Sequence, residues 1–137
     1  MWFKTIYLTV FKTKIRVRYA ETDQMGFCYY GNYAQFLEVA RVEALRECGF
    51  SYKELEEKGV LLPVSSYSIK YHLPAKYDDL LHVETKITKL EGVRIEFSYK
   101  ISSDLGDLIA TAETALVFVD SASMKPIAMP QEFRSMK

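Results

Sequence analysis

One long amphipathic helical pattern, set among stretches that alternate residue by residue, constrains this chain more than any other feature. Tyr33, Phe36, Leu37, Ala40, Ala44, Leu45 and Cys48 recur at helical spacing on one broad face, while Gln35, Glu38, Arg46 and Glu47 lie elsewhere. Asn32 precedes that run with Gln35 three residues on, which predicts a capping box, and Gly49 supplies a stop. Val39 and Val42 widen the apolar stripe and predict a helix buried on more than one side. Ser51 with Glu54 predicts the cap of a short second helix over Ser51 to Lys58.

The rest of the chain reads as strands. From Lys14 to Tyr19, residues Ile15, Val17 and Tyr19 oppose Arg16 and Arg18, and Met1 to Phe11 could extend that strand. After Gly59 the alternation resumes: Tyr67, Ile69, Tyr71 and Leu73; then Leu81, Val83 and Ile87; then Val93, Ile95, Phe97, Tyr99 and Ile101; then Ile109 to Val119. Glu91-Gly92 and Ser103 to Gly106 are short connections, which predicts antiparallel pairing. One helix cannot cover both faces of such a sheet. The sheet is therefore expected to curl around the helix, with a second copy of the chain supplying further cover.

No linker, repeat or low-complexity stretch interrupts the sequence, so residues 1–137 are expected to form one domain. The 18 basic and 18 acidic side chains cancel, which removes the bulk attraction a nucleic-acid binder relies on. No apolar run approaches the roughly 20 residues of a membrane-spanning helix. The apolar N-terminus is interrupted by Lys4 and has no small-residue cleavage site, so it makes a poor signal peptide. A cytoplasmic protein with Cys28 and Cys48 as reduced thiols is the expectation.

Chemistry concentrates in the loop Ala20 to Gly31, which feeds into the helix start. A helix N-terminus carries unsatisfied N–H groups and partial positive charge, so the backbone at Tyr30 to Asn32 could hold an oxyanion during acyl transfer. Gly26 and Gly31 allow the loop to fold back and bring the Asp23 carboxylate to the same reacting carbon. Asp23 could equally cap its own turn. A cysteine-hydrolase arrangement of Cys28 with His72 or His82 has no supporting motif, and buried packing is the expectation for both cysteines. The scattered histidines and cysteines give no metal-ligand spacing, and no cofactor motif is present. Glu38 and Glu43 are expected to be solvated or paired with Arg41 or Arg46, and Tyr67, Tyr71 and Tyr99 to lie in the core or on a dimer face.

The run YAETDQMGFCYYGNY at Tyr19 to Tyr33, followed by FLEVAR at Phe36 to Arg41, resembles the hotdog-fold acyl-CoA thioesterases of the 4-hydroxybenzoyl-CoA thioesterase type, YbgC-like branch. Pro74 to Thr85 and Val117 to Pro130 continue the resemblance, which spans Ile15 to about Arg134. It implies an α+β fold in which a curved five-stranded antiparallel sheet wraps a long central helix. It also implies an enzyme that hydrolyses an acyl-CoA to a carboxylic acid and coenzyme A, with no cofactor, as a homodimer or homotetramer. By position, Asp23 takes the family's catalytic carboxylate and the Tyr30 N–H its carbonyl-polarising donor, with Gly31 and Asn32 beside the substrate. Many relatives carry histidine where Tyr30 stands; a backbone donor survives that exchange, but an imidazole's proton handling does not. The family's basic hairpin corresponds to Leu90 to Arg94, leaving Lys89 and Arg94 as candidates for the coenzyme A phosphates, with Lys70 and Lys76 as further cations. A non-catalytic acyl-CoA-binding module is the alternative reading. A hotdog dehydratase would need a histidine near the helix start, which the sequence lacks.

Overall fold

The computed structural model describes residues 6–136. A five-stranded antiparallel sheet holds β1 (Phe11–Arg16), β3 (Val64–Tyr71), β4 (Leu80–Glu91), β5 (Arg94–Ser102) and β6 (Leu108–Val117) in the order β1-β4-β5-β6-β3. The helix α1 (Tyr33–Glu47) lies in the curve of that sheet and buries Tyr33, Phe36, Leu37, Ala40, Arg41, Ala44 and Leu45. This is the sheet curled around one helix that the alternation pattern predicts, and the hotdog fold that the resemblance implies.

The register explains how the helix fits. Across the middle of the sheet Thr85, Tyr99, Ala112 and Ile69 form one inward row, and Ile87, Phe97, Thr114 and Tyr67 form the next. Large side chains on β4 and β5 fill the concave face, while Ala110, Ala112 and Thr114 on β6 leave room for the helix. A register shift between Ile87 and Lys89 turns Leu90 inward as well, so two buried residues three apart keep one face across a bulge.

Several local expectations change. The first strand ends at Arg16 rather than Tyr19, because Tyr19–Glu21 form a single 3-10 turn that leaves Tyr19 78% exposed. Residues 6–8 also form a 3-10 turn and do not extend β1; the remainder of the expected extension, residues 1–5, lies outside the described residues. Val39 is exposed, so α1 is buried on a narrower stripe than its sequence suggests. Ser51 does cap the second helix, α2 (Tyr52–Glu57), accepting the Glu54 amide at 3.2 Å. A two-stranded ladder of β2 (Val60–Leu61) and β7 (Val119–Asp120) and the final short helix α3 (Gln131–Arg134) carry no signal strong enough to read in advance. Phe133 of α3 stacks on Phe50 at 4.1 Å and meets Phe118 edge-on at 5.0 Å, closing one end of the core.

Strand β3 is the exception to burial. It forms one edge of the sheet with no strand beyond it among the described residues, and Val64, Tyr67 and Tyr71 stay 40 to 45% exposed although Tyr33 of α1 meets the Tyr71 ring at 5.3 Å.

Candidate active site

The loop before α1 is built around the carbonyl of Glu21, which accepts both the Tyr29 amide and the Asn32 side-chain amide at 2.8 Å. The Glu21 carboxylate is itself buried. It accepts the Arg18 backbone amide at 2.7 Å and the Arg18 guanidinium at 2.8 Å, and the guanidinium hydrogen bond holds it below the usual carboxylate range. Cys28 is tied to the far strand connection by its amide, which donates to the Ala75 carbonyl at 2.7 Å.

Asp23 closes a turn within that frame. Its amide donates to Phe27 O at 2.9 Å, and Gly26, at φ 84°, donates to Asp23 O at 3.0 Å. The carboxylate Oδ1 accepts the amides of Met25 at 2.9 Å and Phe27 at 3.3 Å. The turn-capping reading of this residue is observed. Oδ1 caps the turn, and Oδ2 has no hydrogen bond to any described residue.

Asp23 lines a cavity of about 300 Å³ together with Met25, Phe27, Cys28, Tyr30, Tyr33, Tyr71, His72, Leu73 and Pro74. The helix start lies beside it. Tyr30–Asn32 form a 3-10 turn that runs into α1, and the amides of Tyr30 and Gly31 find no acceptor among the described residues. The expected capping box is absent. Asn32 sits in helical conformation, its amide donates to Tyr29 O at 3.0 Å, and its side chain reaches back to Glu21, so Asn32 anchors the loop rather than facing a substrate. Gly31 lies in close approach to Tyr29, since a Cβ there would fall 2.7 Å from Cε2 of that ring unless the ring moved.

Burial pushes the Cys28 thiol up to about 11 and lifts the Tyr33 phenol well above the usual phenol range, so both stay protonated near neutrality. Cys28 is thus wall, not nucleophile. Among the described residues no group of three or more His, Cys, Asp or Glu side chains could hold a metal ion. His72 is the residue the alternation pattern misplaces: it follows the end of β3, and there it turns onto the rim of the Asp23 cavity. His82 instead pairs with Asp104 at 2.8 Å on another part of the surface. Two further hollows on the outer face of the sheet, around Ser68 and Glu113, contain neither Asp23 nor the helix start.

The cations separate. Lys76 pairs through its backbone with Phe27 in the site loop. Lys89 and Arg94 sit at the β4–β5 hairpin, the end of the sheet shared by Leu90, Ile95, Leu116 and Val64, whereas the cavity lies at the Tyr71 end. Seven residues of β3 at about 3.3 Å each put these ends about 23 Å apart within one protomer. Glu43 pairs with Arg46 at 3.2 Å, but Arg41 is buried under α1 and pairs with no carboxylate within 4 Å among the described residues.

A carboxylate with one free oxygen, two idle amides and an aromatic-walled cavity make up the candidate site, and a family model described as thioesterase-like superfamily matches residues 17–136. The chain belongs to the thioesterase-like superfamily. Within it, the Escherichia coli acyl-CoA thioester hydrolase YbgC is 37% identical over 123 residues, covering 90% of this chain and 92% of that protein. The Haemophilus influenzae acyl-CoA thioesterase YbgC is 35% identical over 91% of this chain and 92% of its own. Among solved structures, a DHNA-CoA thioesterase from Staphylococcus aureus superposes with a TM-score of 0.85 at 36% identity, covering 87% of this chain and 80% of that one. No described helix is long and apolar enough to cross a membrane.

Proposed function

We infer that the protein is an acyl-CoA thioester hydrolase, releasing a carboxylic acid and free coenzyme A. The observation that carries the reading is that Asp23, with its unbonded Oδ2, and Tyr30 line one cavity, while the amides of Tyr30 and the adjoining Gly31 are idle. The thioester carbonyl oxygen would lie against those amides, which strengthen their hold as it becomes an oxyanion. Asp23 would act on the carbonyl carbon from the other side, either drawing a proton from an attacking water or attacking directly to form an anhydride that a second step hydrolyses with water. As the C–S bond breaks, the coenzyme A thiolate takes up a proton, from Asp23 in the first route and from water in the second, and leaves as the thiol. A single oxyanion donor contributes about 3 to 4 kcal/mol and a positioned base about 10² to 10⁴ in rate, so the two together account for useful catalysis where neither alone would.

The same reading includes a homodimer formed along the free edge of β3. Antiparallel pairing of β3 with its own copy about Tyr67 would set Val64 of the partner subunit against Lys70, beside Tyr71, turning the far end of one sheet toward the cavity of the other. Lys89 and Arg94, out of reach within one protomer, would then meet coenzyme A phosphates from across the interface. Pairs of such dimers would give a tetramer. A cytoplasmic setting keeps Cys28 and Cys48 reduced.

The test is release of free thiol from a panel of acyl-CoAs of short, long and aromatic acyl group, run beside the mass of the protein in solution. Turnover abolished by loss of the Asp23 charge is the expected result. Saturable acyl-CoA binding without thiol release would establish the non-catalytic module instead.

A further inference from the structure

Arg41 is the one charged side chain on the buried face of α1 and keeps 6% of its surface. Its Nε donates to the Tyr52 hydroxyl at 3.3 Å, and Tyr99, whose own hydroxyl is 2.6 Å from Thr114 Oγ1, lies beside it. Burial works against the charge, the Tyr99 and Tyr52 phenols favour it, and the guanidinium stays protonated. Phenols are not counter-ions, and a buried cation facing only neutral groups leaves most of its electrostatic demand unmet.

Among the described residues Arg41 has no carboxylate within 4 Å, and it borders a cavity. Among the described residues the only side-chain polar atom sealed from solvent without a hydrogen bond is Thr85 Oγ1, so any unpartnered Arg41 nitrogen retains exposed surface. Arg41 lines a cavity of about 170 Å³ whose other walls are Ala34, Leu37, Val64, Tyr67 and Thr114. A dry cavity of about 150 Å³ accommodates a benzene-sized molecule, so this one has room for a carboxyl group and several methylenes.

The two cavities are neighbours. Tyr33 and Tyr71 wall the Asp23 cavity, while Ala34 and Tyr67, the next residue on the helix and the next inward turn of the strand but one, wall the second. The Tyr67 and Tyr71 phenols stand at the junction and act on one another's ionisation. From Tyr33 to Arg41 the helix advances about 12 Å at about 1.5 Å per residue, the span of a medium-length acyl chain.

We propose that the second cavity is a distal acyl subsite and that Arg41 selects thioesters whose acyl group ends in a carboxylate: CoA half-thioesters of medium-length dicarboxylic acids. The proposal rests on the hydrolase reading. Ala34, Leu37 and Val64 suit a methylene chain, and a planar carboxylate fits the guanidinium fork as no methyl terminus can. A site with a buried donor left unpaired by the wrong ligand discriminates strongly against it.

Suberyl-CoA and octanoyl-CoA, of equal chain length, are compared with the intact protein and with Arg41→Met, reading kcat/KM, calorimetric binding and solution mass. The expected result is a wild-type preference for suberyl-CoA of about tenfold or more that falls to about one in Arg41→Met through loss on suberyl-CoA. A wild-type enzyme that hydrolyses octanoyl-CoA as well or better overturns the proposal without recourse to any variant. Parallel loss on both substrates with a shift to monomer also overturns it, and would identify a second copy's carboxylate as the partner of Arg41. Should wild type release thiol from no acyl-CoA, the hydrolase reading fails; Arg41-dependent preferential binding of suberyl-CoA would still uphold the subsite, and equal binding would overturn it.

Discussion

Asp23 Oδ1 accepts the Met25 amide at 2.9 Å, which commits half of the candidate catalytic carboxylate to holding its own turn. Asparagine retains an acceptor oxygen in that place and removes only the charge. Asp23→Asn is therefore expected to keep its fold and thermal midpoint while kcat on a good acyl-CoA falls by at least ~10², with KM much less affected. Asp23→Ala is expected to lose activity equally and about 1 kcal/mol of stability besides, since the Met25 and Phe27 amides lose their acceptor. Steady-state kinetics and denaturant melts on both variants separate the two roles. Near-wild-type turnover in Asp23→Asn would remove this residue from the chemistry.

The position before Asn32 tests the amide pair. A Cβ on Gly31 would meet the Tyr29 ring at 2.7 Å, and that ring is half exposed and packed at 4.7 Å against Tyr30. The ring can swing away, so Gly31→Ala should cost less than about 1.5 kcal/mol of stability. Its displacement should disturb Tyr30, whose amide faces the cavity, and lower kcat several-fold. Tyr29→Ala combined with Gly31→Ala is expected to recover most of that loss, because the clash has no second partner. A double-mutant cycle on kcat measures the recovery.

What the sequence makes legible is whatever depends on periodicity. The inward rows of β4, β5 and β6 and the main stripe of α1 repeat at fixed spacing, so their existence, order and inner face can be read directly. Boundaries set by tertiary partners cannot. Tyr19 continues the alternation of Ile15 and Val17, yet the Arg18–Glu21 hydrogen bonds bend the chain into a turn there. Asn32 and Gln35 have the spacing of a capping box, but the Glu21 carbonyl, eleven residues away, takes the Asn32 side chain. The candidate Asp23 stands out in the sequence through its motif, and the structure places it in a cavity wall. His72 does not stand out, because its place on the rim depends on where β3 stops, and Arg41 does not, because its partners are phenols from α2 and β5 rather than a nearby acid.

Cys28 offers a check on the protonated wall of the cavity. With its thiol at about 11, the thiolate fraction at pH 8 is ~10⁻³, and Cys48, raised to about 11 as well, behaves alike. Iodoacetamide should modify the native protein slowly at pH 8, with a rate that climbs about tenfold per pH unit until the native state is lost. Mass spectrometry of timed quenches gives the rates. Rapid modification at pH 7 with parallel loss of activity would point instead to an activated thiol.

Glu21 links the site loop to pH. Its folded pKa lies below the ordinary glutamate value of about 4.5, chiefly through the Arg18 guanidinium hydrogen bond, so the unfolded chain takes up its proton first as pH falls. The stabilisation is present above about pH 4.5 and is lost as pH drops through the folded value. Glu21→Gln should be destabilised by about 1 to 3 kcal/mol at pH 7 and show a flatter decline in stability below pH 4.5. Denaturant midpoints between pH 3 and pH 7 read both effects, and parallel curves for wild type and variant would show that the ion pair contributes nothing to folding.

The edge of β3 carries the last expectation. Ser66 and Ser68 flank Tyr67 near the middle of the strand, on the outer face and away from both cavities' catalytic groups. If two copies pair antiparallel about Tyr67, Ser66 of each faces Ser68 of the other, and lysines at both positions would set like charges directly opposite at two places. Each such pair disfavours the ladder by roughly 0.2 to 1 kcal/mol, and Lys70 already adds charge to the same row. Ser66→Lys with Ser68→Lys is expected to raise the dimer dissociation constant by about tenfold and to make specific activity fall on dilution, recovering at high protein concentration or high salt. Sedimentation equilibrium and activity are followed over the same concentration series. Wild-type protein that is monomeric at micromolar concentration yet fully active would mean that each protomer binds coenzyme A with its own residues, and Lys76, not Lys89 or Arg94, would then be the cation to replace.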